Sequence, residues 1–278
     1  MKKIMVSTDL SDNSKSAVRM ALRLAKLKGC ALSVVQVNNI PKPFSWTQEA
    51  YGRFLKKRMN KLTGVLAAFV SAICHSIDLE PFRFKSVVLN STEVVDALSD
   101  YARTEKFEYI LIATRGAGTL KKLFGTHTSR LLASCKIPVI VVPSRYRHRN
   151  IKNVIYATDL QDIERELPDL VDFASPLGAE IQMLYMKLPF EGMGSPAELE
   201  LRVREKYSYP ITFIQVKRNI ERSIIEDIDR TINKGHNSIL ALFSHHGRSG
   251  FDKLLFPSNA EQYSFYAKIP ILVFAKHE

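Results

Sequence analysis

No segment of this 278-residue chain stays apolar for the roughly 18 residues that a membrane-crossing helix needs. The opening Met1-Lys2-Lys3-Ile4-Met5-Val6-Ser7-Thr8-Asp9 meets a carboxylate too early for a secretory signal. Both absences predict a cytoplasmic protein. Cysteine is scarce as well: Cys30, Cys74 and Cys135 lie far apart in apolar surroundings. An odd, scattered set excludes a disulfide framework and a zinc site and leaves buried, reduced thiols. There is no Gly-Lys-Ser/Thr triplet, and hence no Walker loop. No serine, cysteine or histidine stands in a nucleophile motif, so triad catalysis has no support. His245-His246 has no third ligand at a useful spacing, and no metal is expected.

What is present is an ordinary globular composition, 46% hydrophobic and 24% charged, over a length that suits two domains of about 140 residues. The net charge of +12 is uneven. Residues 1–150 hold 25 Lys and Arg against 10 Asp and Glu, or +15; residues 151–278 hold 15 against 18, or −3. A positive first half would concentrate a polyanion such as ATP, nucleic acid or anionic lipid, and charge alone does not choose among them.

The chain repeats itself. Met5-Val6-Ser7-Thr8-Asp9-Leu10 recurs as Ile155-Tyr156-Ala157-Thr158-Asp159-Leu160, an offset of 150. Lys28-Gly29-Cys30-Ala31 matches Leu177-Gly178-Ala179 at an offset of 149. Leu123-Phe124-Gly125-Thr126 matches Leu255-Phe256-Pro257-Ser258, and Ile137-Pro138-Val139-Ile140 matches Ile269-Pro270-Ile271-Leu272, both at 132. Conserved order with one change of offset means a duplication whose second copy is about 18 residues shorter in its middle. The expected organisation is a first domain over 1–144, a polar and basic linker over 145–150, and a second domain over 151–278.

Within each copy, short apolar strands alternate with amphipathic helices. In the first, strands are predicted at Lys3–Thr8, Leu32–Val37, Phe82–Val88, Tyr109–Ala113 and Val139–Val142. Helices are predicted at Asn13–Leu27, over 48–76, at Thr92–Tyr101 and at Thr126–Ala133. Ala17, Met20, Ala21, Leu24 and Ala25 repeat at helical spacing. Strands lacking polar alternation suit a parallel sheet covered on both faces. The fold class is α/β, with two doubly wound parallel-sheet domains in tandem. Such sheets bind ligands beyond the carboxyl ends of the strands, where strand order reverses. That singles out the loops after Thr8, Val37 and Ala113, and in copy two those after Thr158, Met186 and Phe243.

The loop after Ala113 reads Thr114-Arg115-Gly116-Ala117-Gly118-Thr119, and runs on to Gly125-Thr126-His127-Thr128 at a helix start. Glycines let backbone amides approach a phosphate, and the hydroxyls of Thr126 and Thr128 would add donors. Two readings stay open: an anion cradle, or a turn made by Gly116 and Gly118 with Thr126 as a helix cap.

The early Thr-Asp, this loop and the closing Ile-Pro-Val-Ile-Val-Val together resemble the universal stress protein family in its tandem form, over essentially the whole chain twice. The resemblance implies adenine-nucleotide alpha-hydrolase-like domains. It also implies ATP or a related adenine nucleotide as ligand, alone or with Mg. The family's ATP-binding members carry Gly-x2-Gly-x9-Gly-Ser/Thr. Carried over, Asp9 and Val37 would face adenine, and Gly116, Gly118, Gly125, Thr126 and Thr128 would hold phosphate or ribose. Ala113 replaces the first glycine, and eight residues rather than nine separate Gly116 from Gly125. In copy two, Ser244 and Pro257 take glycine positions, and proline removes a donor. A degenerate second site would retain Asp159, Gly247 and Ser258. The family also implies pairing through the last strand, here between the two domains, with a further homodimer as an extension.

Three function classes follow: a nucleotide-binding regulator of stress responses, an interaction module that binds no nucleotide, and at most a slow ATPase without an identifiable base. A nucleic-acid partner is not favoured, because Tyr51 and Phe54 form no base-stacking pattern. Lys56-Lys57-Arg58 and Lys61 read first as a solvated helix face, with nucleic-acid or membrane-surface contact as the alternative. Pro41, Pro43, Phe44 and Trp46 mark a loop that could cover a ligand or a partner surface.

Overall fold

The β-rich runs and the helices between them build two units of one design. The computed structural model describes residues 2–80, 82–114, 126–147, 150–158, 160, 162–186, 196–216, 219, 221, 237–244 and 269–275. The chain divides into Met1–His148 and Arg149–Glu278.

Unit 1 runs β1 (Lys3–Ser7), α1 (Lys15–Lys28), β2 (Ala31–Asn38), α2 (Gln48–Ser76), β3 (Phe84–Asn90), α3 (Val94–Thr104), β4 (Tyr109–Ala113), α4 (Thr126–Ser134) and β5 (Val139–Val142). Its strands are all parallel, in the order β3-β2-β1-β4-β5. Unit 2 runs β6 (Asn153–Thr158), α5 (Ile163–Ala174), β7 (Glu180–Met186), α6 (Pro196–Lys206), β8 (Ile211–Val216), β9 (Ser238–Ser244) and β10 (Ile271–Ala275). These strands are parallel in the matching order β8-β7-β6-β9-β10. Order reverses between β1 and β4 in one unit, and between β6 and β9 in the other.

Burial follows from this order. Every residue of β4 and β5 is buried, as two-sided helical cover requires. The edge strands are less covered: β3 has exposed residues and one buried residue, Val88, and β8 has exposed residues between buried ends. Ala17, Met20, Ala21, Leu24 and Ala25 turn inward on α1, which ends at Gly29 with φ 62°. Gly178 ends the corresponding segment of unit 2 with φ 59°. Cys30 and Cys74 are buried as expected, whereas Cys135 is half-buried, and desolvation pushes all three thiols up.

Boundaries shift where side chains take over from periodicity. The first helix begins at Lys15 rather than Asn13, because Asp12–Ser14 forms a 3-10 turn. The third strand runs two residues past Val88, since Asn38 pairs with Asn90 and the Ser91 N–H donates to the Asn38 carbonyl at 2.9 Å. The next helix then starts at Val94, after the Ser91 hydroxyl accepts from the Glu93 N–H at 3.0 Å. Between 145 and 150, Tyr146 is buried, so the stretch is not uniformly solvated. Among the described residues no helix is long and apolar enough to cross a membrane, and no cluster of three His, Cys, Asp or Glu could hold a metal. His245 and His246 lie outside those residues.

Candidate functional site at the carboxyl edge

The reversal point of unit 1 is shaped by a turn that begins at Thr8. The Thr8 N–H donates to the Val35 carbonyl at 3.0 Å, which carries the ladder one residue past β1. Leu10 then adopts φ 64°, a left-handed conformation unusual for leucine, and donates its N–H to the Thr8 hydroxyl at 3.0 Å. Thr8 and Ser14 hydroxyls lie 2.7 Å apart and buried, and the Ser14 hydroxyl donates to the Ser11 carbonyl at 2.8 Å. Ser14 has one proton, so the direction is set: Leu10 N–H to Thr8, Thr8 to Ser14, Ser14 to the backbone. This relay of hydroxyls holds the loop from below.

Above it, Asp9 is exposed. Its Oδ1 accepts from the Ser11 N–H at 3.0 Å and from the Ser11 hydroxyl at 2.6 Å, an Asx turn. Asp12 sits one step on, its carboxyl held below the usual range by its hydrogen bond with Lys15 and by that ammonium's charge. Val37 lies two residues past Val35, the register partner of Ser7, and therefore at the same edge as Asp9. It is half-buried and pairs with Leu89.

Across the reversal, Thr114 donates its N–H to the Val142 carbonyl at 2.9 Å and is buried. Thr126 opens α4 and is exposed. Thr128 is buried, and its hydroxyl donates to the Ala113 carbonyl at 3.1 Å, which fastens α4 to the end of β4. Gly116, Gly118 and Gly125 fall outside the described residues, as do Asp159, Gly247 and Ser258. The donor set fits an adenine nucleotide in kind: an exposed carboxylate for amino or hydroxyl donors, and a helix start with an exposed hydroxyl for phosphate oxygens.

Unit 2 repeats the backbone. The Leu160 N–H donates to the Thr158 hydroxyl at 2.9 Å, and Leu160 has φ 70°. The sheet register decides between two correspondences, the strand ends setting Phe243 against Ala113 and the glycine spacing setting Ser244 there. Val6 faces Leu111 and Tyr156 faces Ala241, while Val142 faces Ala113 and Phe274 faces Phe243. Both ladders make Phe243, not Ser244, the counterpart of Ala113. Gly247 then stands four residues past that position, against three for Gly116. The Phe243 ring is buried, stacked on Phe274 at 4.7 Å and edge-on to Tyr156 at 5.7 Å. Tyr156 in turn donates its hydroxyl to Glu166. At the 150 offset those two residues replace Val6 and Ser16.

Several contributors carry no sequence signal of their own. The Thr8–Ser14 pair looks like any polar turn. Asn90 accepts from the Ile40 N–H at 2.9 Å, and Tyr51 donates to the Ile40 carbonyl at 2.5 Å, pinning the chain after β2 from two other elements.

The chain's residues 1–143 match the model of the Universal stress protein family. No curated protein matches the chain. A universal stress protein from Archaeoglobus fulgidus DSM 4304 is similar over 99% of this chain and 98% of its own, at 17% identity and a TM-score of 0.64. A functionally unknown protein from Pseudomonas aeruginosa PAO1 is similar over 99% of this chain and 92% of its own, at 13% identity and a TM-score of 0.55. A universal stress protein from Archaeoglobus fulgidus, solved in complex with dAMP, covers 51% of this chain with 98% of its own, at 21% identity and a TM-score of 0.35. The two likenesses that span the whole chain speak for the fold. With a family model spanning more than half its length, the chain belongs to the universal stress protein family.

Proposed function

We propose that this protein is a cytoplasmic regulator of stress responses that binds ATP or a related adenine nucleotide, alone or with Mg, at the carboxyl edge of unit 1. Asp9 and Val37 would face the adenosine part. Gly116, Gly118, Gly125 and Thr126 would hold phosphate or ribose, and Thr128 would position α4. The observation that carries the reading is the Thr8–Leu10 turn, which presents an exposed Asp9 at the reversal of strand order. Unit 2 would keep the scaffold without a strong site, Asp159, Gly247 and Ser258 being remnants, and would pair with unit 1 inside one chain. A further homodimer of two chains extends the same reading.

A second reading, an interaction module without nucleotide, is favoured by two observations. Asp9 Oδ1 is already engaged by Ser11, and the Thr128 proton goes to Ala113. Titration calorimetry with MgATP separates the two. The first reading expects saturable binding near one site per chain, lost in Gly116→Trp with the circular dichroism spectrum unchanged. Silence from the wild-type chain, or equal affinity in the variant, overturns it.

A further inference from the structure

The first half of α2 leaves the body of unit 1 with an uncovered face. Leu66, Val70 and Ile73 are buried in its second half, whereas Leu55, Met59 and Leu62 are only half-buried. On the opposite side Phe54, Lys57, Arg58, Lys61 and Val65 recur at three- and four-residue spacing, and all are exposed. No Asp or Glu occurs from residue 50 to residue 77. Glu49, just before, pairs with Arg53 at 2.7 Å. Among the described residues no carboxylate pairs with Lys57, Arg58 or Lys61, so their charge faces water.

An apolar tip stands beside these cations. Trp46 packs edge-on against Phe54, with ring centroids 5.0 Å apart, and Phe44 is fully exposed. The tip is held in place. Pro41 and Pro43 restrict the backbone, the Trp46 N–H donates to the Pro43 carbonyl at 3.1 Å, and Thr47 caps α2 by accepting from the Ala50 N–H at 3.2 Å. Exposed rings on a rigid loop, unneeded by the core, beside unpaired cations on one helix face are the two components of an interfacial membrane contact. The rings would enter the headgroup layer, and the cations would meet lipid phosphates.

We propose that this face docks unit 1 on an anionic lipid surface. Charge complementarity calls for an anionic occupant, the half of the chain carrying the face having a net charge of +15, and the exposed rings of Phe44 and Trp46 beside the cations make it a lipid surface. A nucleic acid fits less well, because the rings cluster at the start of α2 and do not form a row of faces along the cations on which successive bases could stack. The contact is separate from nucleotide binding and involves none of those residues.

Trp46 is the chain's single tryptophan, so emission excited where tyrosine does not absorb reports on the tip alone. With the full chain, vesicles of phosphatidylcholine mixed with phosphatidylglycerol should shift the emission to the blue and carry the protein into the pellet. Vesicles of phosphatidylcholine alone should do neither. The triple variant Lys57→Gln, Arg58→Gln, Lys61→Gln should lower partitioning about 100-fold, at about fivefold per cation. Phe44→Ser, at a fully exposed position that the fold does not need, should lower it about tenfold. No shift with anionic vesicles, or equal partitioning into both kinds, overturns the proposal. A shift evoked by single-stranded oligonucleotide or by poly-glutamate but not by vesicles also overturns it, and reassigns the face to that partner.

Discussion

At the reversal of strand order, unit 1 brings the methyl group of Ala113 to the edge of β4, and unit 2 brings the ring of Phe243 to the same place in β9. Below them the backbone is nearly the same. Thr8 and Thr158 are both buried, both accept from a leucine N–H two residues on, and both leucines have positive φ. The two copies therefore keep the turn and differ in the filling. In unit 2 an aromatic stack and a buried Tyr156–Glu166 hydrogen bond stand where unit 1 has Val6 and Ser16. The difference separates fold from site. Recurrence of Thr-Asp-Leu is explained by the turn itself, so it argues for a shared scaffold and not for a ligand in both copies. The turn presents Asp9 in unit 1, and what stands beside it, where the copies diverge, sets whether a ligand fits there.

The largest expected effect tests the filling. Phe243→Ala removes a buried ring that touches Phe274 and Tyr156, and should destabilise the chain by about 4 kcal/mol in urea unfolding followed by circular dichroism. If the loss is below about 1 kcal/mol, the aromatic stack is not what fills unit 2 and the contrast with Ala113 fails.

A middle-sized effect tests the hydroxyl relay. Thr8→Val keeps the volume but strands the Leu10 N–H and removes the donor to Ser14, at a cost of about 2 kcal/mol. Thr158→Val strands the Leu160 N–H, and Ser14 corresponds there to the exposed Glu164, so about 1 kcal/mol is expected. The same unfolding measurement reads both. Equal losses would mean that the Thr8–Ser14 hydrogen bond adds nothing, and the units would then differ only in their apolar filling.

The sequence made the scaffold legible for a physical reason. A sheet covered on both faces and the helices that cover it leave separate periodic signals, which is why the Ala17–Ala25 stripe and the β4 and β5 boundaries were readable. Asp9 and Val37 could be placed at the right edge because chain order and strand-end position fix them. Long-range details were not readable. The Tyr156–Glu166 bond joins a strand to a helix ten residues on, and no local pattern marks it. Strand ends set Phe243 against Ala113 correctly, whereas glycine spacing points one residue on, to Ser244, because spacing cannot locate a length change within a loop and hydrogen-bond register can. The exposed half of α2 was half visible: its cations stood out, whereas the edge-on packing of Trp46 on Phe54 needed coordinates.

The smallest effect sharpens the comparison by removing side-chain differences altogether. Gly29 and Gly178 end corresponding segments with φ near +60°, and a Cβ built on either meets nothing within 4 Å. With no clash at either site, replacement by alanine costs only the strain of left-handed backbone, about 1 kcal/mol. If the shared scaffold is truly common to both units, Gly29→Ala and Gly178→Ala should lower the urea midpoint by the same amount within error. A clear inequality would show that backbone energetics have diverged along with the filling, and the separation of fold from site would then have to be drawn at the side chains of the Thr8 and Thr158 turns alone.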